Sequence, residues 1–362
     1  MKYGRIAAAM AFSVALLVGG GGRRKLWDLD LARVLHQAKN ETDLVWGLRF
    51  SPDETKLAVG YGVRERFLKV RQHVAVVSID SRRVLKSFDV SLDGSEARWR
   101  SIEWSPSGAI LAVRSRQPLI FRMDGEEPCK LADGFEFGGF LAENRIAIFR
   151  RGRPNDKAEL KVLGSDCAVQ DSWEFPGTPL MMEAFPNKEI IAIYDENLPI
   201  NSEVRYGATP VVEIVGVKTH EVLQWWPWYD HNWTHFRLVD QASIICGRRP
   251  ISCFETGTEA KIPLNNTIFK EEVQIQDAAG GLLAISHDKS IPLFTTGCRE
   301  LPVPCRIALG QTRMILEIRS GKEVASWDVG AANAGSIFSP SPSGKLLAEG
   351  SSGSLSVYAV DR

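Results

Sequence analysis

The densest group of chemically capable side chains spans residues 225–235, which read Trp-Trp-Pro-Trp-Tyr-Asp-His-Asn-Trp-Thr-His. Trp225, Trp226, Trp228, Tyr229 and Trp233 offer broad faces with a polar tip, and His231 and His235 add two imidazoles. Such rings bury large apolar area while keeping a hydrogen bond, so this candidate binding segment suits stacking on a sugar or gripping a protein. The competing reading is structural: the same aromatics pack between neighbouring sheets and shield a rim. Asp230 and the two histidines begin a metal set, but zinc takes three or four ligands and no group nearby in sequence completes it. Neither a metal nor a cofactor is expected. The chain has no Gly-x-Ser-x-Gly elbow, no phosphate loop ending in Lys-Ser/Thr and no His-Glu-x-x-His, so no catalytic residue is singled out. The basic run Arg150-Arg151-Gly152-Arg153 reads as a solvated loop tip or as an anion contact.

Six cysteines complete the reactive inventory. Cys246 with Cys253 and Cys298 with Cys305 repeat one spacing, and Gly247-Arg248-Arg249-Pro250 between the first two is turn-like. Cysteines facing each other across a hairpin come close enough to bridge, so these two local disulfides are the favoured candidates. Cys129–Cys167 is the least favoured pair, and buried free thiols are the alternative.

The elements carrying these groups follow from a repeated phrase. Leu48-Arg49-Phe50-Ser51-Pro52-Asp53, Ile102-Glu103-Trp104-Ser105-Pro106-Ser107-Gly108 and Phe338-Ser339-Pro340-Ser341-Pro342-Ser343-Gly344 each lead into a Leu-Ala or Leu-Leu-Ala run. Proline cannot donate to a sheet and glycine tolerates positive φ, so each phrase is a tight turn between antiparallel strands. The chain divides into units of this grammar at about residues 44–90, 98–131, 135–176, 180–228, 234–266 and 273–329, with a last unit from 336. That last unit stops one strand short, and residues 32–37 (Ala-Arg-Val-Leu-His-Gln) resemble the fourth strand of the first unit. An N-terminal strand in that place leaves no unpaired edge at the seam. The fold class expected is all-β: a seven-bladed β-propeller, its last blade closed by an N-terminal strand.

On these phrases the chain resembles the WD40-like and YVTN-like β-propellers of bacteria, and Trp27-Asp28 and Trp327-Asp328 resemble the Trp-Asp dipeptide of that superfamily. No Gly-His pair leads the units, so the regular WD40 hydrogen-bond network is not carried over. The resemblance implies the fold and leaves the activity open.

Lys2 and Arg5, the apolar run 6–18 and four glycines at 19–22 outline a signal peptide over residues 1–22, leaving 23–362 as the propeller. An uncleaved anchor flanked by Arg23-Arg24-Lys25 is the alternative. The even cysteine count agrees with export, so a periplasmic or secreted location is expected. With 44 basic and 44 acidic residues, no charge excess draws the molecule to nucleic acid or to an anionic membrane. The function expected is a rigid scaffold for a protein partner. The rival is a periplasmic propeller enzyme or ligand-binding protein acting on a glycan or small molecule, and a cluster of carboxylates or imidazoles at one mouth of the central channel would favour it.

Overall fold

The computed structural model describes residues 23–30, 42–64, 70–90, 102–114, 118–125, 128–131, 134–151, 157–175, 179–186, 188–195, 211–227, 237–238, 244–248, 251–255, 261–262, 273–279, 281–292, 306–330, 336–351 and 353–360. Among them every regular element is a strand. β1 (Arg23–Asp30) comes first. β2 (Thr42–Phe50), β3 (Lys56–Arg64), β4 (Val70–Ser78) and β5 (Val84–Val90) form the first four-stranded sheet in chain order. The second holds β6 (Ile102–Trp104), β7 (Ile110–Val113), β8 (Leu119–Arg122) and β9 (Cys129–Lys130). The third holds β10 (Phe135–Ala142), β11 (Arg145–Arg150), β12 (Ala158–Gly164) and β13 (Val169–Phe175). The fourth holds β14 (Pro179–Phe185), β15 (Ile190–Asp195), β16 (Val211–Gly216) and β17 (Val222–Pro227). The fifth is β18 (Arg237–Leu238), β19 (Ile244–Arg248), β20 (Ile251–Glu255) and β21 (Lys261–Ile262), and the sixth is β22 (Val273–Ala279), β23 (Leu282–Pro292), β24 (Arg306–Glu317) and β25 (Glu323–Gly330). The last sheet runs β26 (Ile337–Pro340), β27 (Leu346–Ser351), β28 (Ser354–Val360) and then β1. All neighbours are antiparallel, and the sheets follow the units read from the repeated phrase.

The Ser-Pro turns show why that phrase recurs. Ser51, Ser105 and Ser341 are fully buried, and each side-chain Oγ accepts the backbone N–H five residues on, at 2.9, 3.0 and 3.1 Å. Each serine carbonyl also accepts the N–H three residues on, from Glu54, Gly108 or Gly344 at 2.9 Å, and that third residue has positive φ. One hydroxyl therefore extends the ladder past a proline that cannot donate. Neighbouring turns clamp one another: Glu143 of the third sheet accepts from Ser105 Oγ at 3.0 Å and Ser107 N at 2.6 Å, and Glu54 accepts from Ser343 N and, at 2.9 Å, from its hydroxyl.

The core lies between the sheets. Trp46, Val74 and Val76 pack against Ile102, Trp104 and Leu111, joining the first and second sheets. Ile110 and Ile120 meet Phe137, Phe140 and Ile148 between the second and third, and Phe149, Leu160 and Phe175 meet Met182, Ile191 and Ile193 between the third and fourth. Phe338, Leu347 and Tyr358 pack on Leu282 and Ile315, while Leu355 and Val357 pack on Val45, Leu57 and Val59, so the last sheet touches both the sixth and the first. Each such side chain removed from water stabilises by about 1.5–3 kcal/mol, and the sum holds the sheets face to face.

One expectation is corrected. The strand completing the last sheet is β1, residues 23–30, and residues 32–37 lie outside the described residues. The reason is visible in β1 itself. Trp27 and Leu29 point into the core at 7% and 8% exposure, and Arg23 sits over the rings of Trp327 and Tyr358 at 4.5 and 4.3 Å from their centroids. Arg23 also donates to Glu349 at 2.7 Å, and Arg313 donates to the same carboxylate at 2.6 Å. Of the cysteine pairs, the one that spacing favoured least is bonded. Cys129 and Cys167 form a disulfide, because β9 at the outer edge of the second sheet meets the β12–β13 turn of the third. Cys246 and Cys253 are register partners across the β19–β20 hairpin, with side chains outside the described set, as are Cys298 and Cys305 altogether.

Candidate functional site

The first strand of each sheet lies innermost, since β26 runs against β2 and β22, β2 against β6, β10 against β14, and β18 between β14 and β22. The second strand carries a small residue at one repeated position: Ala58, Ala112, Ala147, Ala192, Cys246, Ala284 or Ala348. Opposite these, on the innermost strands, stand Arg49, Glu103, Gly139, Glu183, Arg237, Asp277 and Ser339. Directly paired residues project to the same face, so a small partner leaves room for a long charged one. Among the described side chains, repetition thus gathers Arg49, Glu103, Glu183, Asp277 and Ser339 on the innermost strands, around a common centre.

They pair across that centre. Arg49 Nη1 donates to Asp277 at 2.7 Å, and Ser339 donates to the other oxygen of Asp277, so the first, sixth and last sheets meet there. Arg114, just past β7, lies 3.3 Å from both Glu103 and Glu183 and so joins the second sheet to the fourth. Each arginine reaches past one sheet, and that sheet carries a small residue at the centre: Ser339 in one case, Gly139 in the other. Gly139 has φ +129°, and a Cβ there would come within 2.9 Å of the Ala184 backbone nitrogen. Burial works against both guanidinium charges. Asp277 and Glu103 around Arg49, and Glu183 and Glu103 around Arg114, outweigh it and push both arginines above their ordinary value. The carboxylates expected of an enzyme-like channel mouth are therefore present, three among the described residues, and each lies within reach of one of two arginines. These ion pairs tie inner strands of different sheets together.

A second polar group escaped the sequence reading. Tyr61 and His73 face each other across β3 and β4 with stacked rings 5.3 Å apart, and His73 Nδ1 lies 2.8 Å from Asp89 on β5. The tyrosine hydroxyl meets Ser87 at 3.4 Å. Burial raises the Tyr61 pKa, so the phenol stays neutral and the group acts as a polar tie across three strands. The two described arginines of the basic run are paired: Arg150 bonds Glu159, and Arg151 lies 2.7 Å from Glu136, while Arg153 lies outside the described residues.

The aromatic segment begins on an outer strand. Trp225 and Trp226 belong to β17, the outermost strand of the fourth sheet, opposite Glu213 and Val212. Trp225 is 45% exposed, and nothing is described of the Trp226 side chain. Trp228, Tyr229, His231, Trp233 and His235 lie outside the described residues. Of the six large apolar side chains exposed among the described residues, three (Val222, Leu223 and Trp225) are on β17. A fourth, Val169, is on β13 of the neighbouring sheet. The β16–β17 turn reaches β13 through His220, which stacks on Trp173 at 4.2 Å and meets Asp171 at 3.1 Å.

With this geometry in hand, comparison with solved structures is informative. The chain superposes on U3-55K with a TM-score of 0.56 and 10% identity, covering 93% of this chain and all of that one. It matches a chain of the mitotic checkpoint complex with TM-score 0.56 and 13% identity, over 100% and 99% of the two chains. A third match is the β-propeller domain of Cps50 (Swd1) from Myceliophteria thermophila, with TM-score 0.56, 12% identity and coverage of 94% and 100%. The third is named as a β-propeller domain. The fold is a β-propeller. At these identities the likeness carries fold alone. No protein-family model matches the sequence, and no curated protein does.

Proposed function

We propose that the protein is an exported, seven-bladed propeller of the bacterial YVTN-like sort that serves as a rigid scaffold for a protein partner. The observation carrying this reading is the concentration of exposed apolar side chains on β17 among the described residues, at the start of the aromatic segment. A contact surface needs exposed apolar anchors on a stiff support, and the outer strand of a packed sheet supplies both. One of the similar structures belongs to a protein complex, as its name states. The Cys129–Cys167 bridge supports export, since disulfides persist in oxidising compartments, and the signal peptide read over residues 1–22 gives the route. Trp225, Trp226, Trp228, Tyr229, His231, Trp233 and His235 are the proposed contact residues.

The test compares wild type with Leu223→Ser/Trp225→Ser as bait in an extract of the source organism, read by mass spectrometry. A specific protein retained by wild type and lost by the variant is expected. Retention of a glycan or small molecule with no protein would overturn the scaffold reading in favour of a ligand-binding or enzymatic propeller.

A further inference from the structure

The outermost strands of the sheets differ in one respect. β1 carries Arg23, Arg24, Lys25, Asp28 and Asp30; β5 carries Lys86 and Asp89; β9 carries Lys130; β13 carries Asp171 and Glu174; β21 carries Lys261; β25 carries Glu323 and Asp328. β17 reads Val-Leu-Gln-Trp-Trp-Pro and carries no charge. Charges on an edge strand prevent another chain from adding to the sheet, because an incoming strand would have to desolvate them. Every other described edge has that protection. Among the described residues, β17 has a hydrogen-bonded neighbour on one side only, β16.

The register indicates which way the backbone faces. Pro227 pairs with Val211, and proline is tolerated in a strand where its missing N–H is not needed by the ladder. The outward side of the 227 position is then the open edge. By the alternation of an antiparallel ladder, the N–H and C=O of Trp225 face it too.

We infer that β17 is a docking edge for strand addition, taking an extended, uncharged segment of a partner polypeptide antiparallel or parallel to itself; this rests on the scaffold reading and assigns the mode and the chemistry of the partner. Two observations select that occupant. Neutrality along the whole strand matches a partner segment without charge, since a lysine or glutamate on it would be desolvated against Leu223 or Trp225 with no counter-charge on β17 to meet it. Among the described residues the exposed apolar side chains at this edge are also few: Val169, Val222, Leu223 and Trp225 fall well short of the ~800 Å² per partner of a standard interface that a second copy of the chain would need. A single strand needs less, because its backbone hydrogen bonds supply affinity and alternate side chains supply selectivity.

The test pans a phage-displayed decapeptide library on the purified protein and measures synthetic copies of the enriched peptides by fluorescence anisotropy. Each peptide is also made with alternate backbone nitrogens methylated, which keeps its side chains and blocks pairing. The inference expects enriched peptides that are uncharged and free of proline. It also expects binding at least tenfold weaker after N-methylation and at least tenfold weaker to Leu223→Lys. Val222→Lys serves as the second variant if Leu223→Lys loses its native melting transition. Peptides that depend on residue 223 but bind equally well when methylated would overturn strand addition while leaving the scaffold reading standing. No enrichment, or enriched peptides indifferent to both lysine variants, would overturn strand addition and remove β17 as the scaffold's contact surface. A dimer in solution that Leu223→Lys dissociates would also overturn the inference, because the occupant would be a second copy.

Discussion

β1 and β17 occupy the same place in their sheets, each the outermost of four strands, and their chemistry is opposite. β1 is half charged and is fastened by its first residue: Arg23 lies between two aromatic rings and on a carboxylate that also serves Arg313. β17 has no charge, and its described apolar side chains point into solvent. The difference teaches that position in the sheet does not decide how an edge is treated. An edge that must stay closed is given charges and a latch, whereas an edge kept neutral and apolar is available for pairing. β9 shows a third treatment: with only two residues it has little ladder of its own, and Cys129 fixes it covalently to the next sheet.

Breaking the fastened edges should cost stability. Cys129→Ala/Cys167→Ala opens a loop with a sequence separation of 38 residues. By the chain-entropy account the loss is about 4 kcal/mol, measured by urea denaturation of oxidised wild type against the variant. Arg23→Ala removes two ring contacts and leaves the largely buried Glu349 with Arg313 as its remaining cation and the Ser336 hydroxyl. A loss of about 2–3 kcal/mol is expected, with earlier hydrogen exchange in β28 than in β12. Leu223→Lys on β17 should change stability by less than about 0.5 kcal/mol, because the residue is exposed, while abolishing peptide capture. A large stability loss there would mean that Leu223 packs against the fold.

A further small effect concerns the Ser-Pro turn of the first sheet. At Asp53 burial acts upward, but hydrogen bonds from Ser51 and Thr55 outweigh it and hold the carboxyl down to about 2. A depressed carboxyl stabilises above its ordinary value of 3.8, and the contribution is lost as pH falls toward about 2. Asp53→Asn should flatten that acid limb by less than about 1 kcal/mol, since the side chain is half exposed and solvent screens it. The denaturation midpoint followed from neutral pH down to about pH 2 reads the slope directly.

How much of this was legible in the sequence depended on whether the signal was local. Ser51-Pro52, Ser105-Pro106 and the 339–344 phrase announced their turns, because the serine, the proline and the positive-φ residue that make each one are adjacent. The all-β class and the division into units followed. The closing strand was misplaced because Arg23-Arg24-Lys25 reads as a charge cluster beside an apolar leader, and the inward alternation of Trp27 and Leu29 is short. The Cys129–Cys167 bridge joins two sheets, and nothing in its spacing marks it against the hairpin pair at 246 and 253. The central group was invisible for the same reason: Arg49, Glu103, Glu183 and Asp277 each look like a single polar residue inside an apolar run, and only the strand register gathers them. Of the aromatic segment, Trp225 is the member whose side chain is described, and it is exposed on β17. The structure adds the neutrality of β17, which is a contrast between edges and cannot be read from one strand.

The central claim is that β17 receives a strand, and amide hydrogen exchange with and without an enriched peptide tests it most directly. The account predicts that the peptide slows exchange of the Trp225 amide, which faces the open edge, and leaves β13 and the innermost strands unchanged. Slowing confined to side-chain-proximal turns such as 217–221, with the β17 amides exchanging as before, would contradict it.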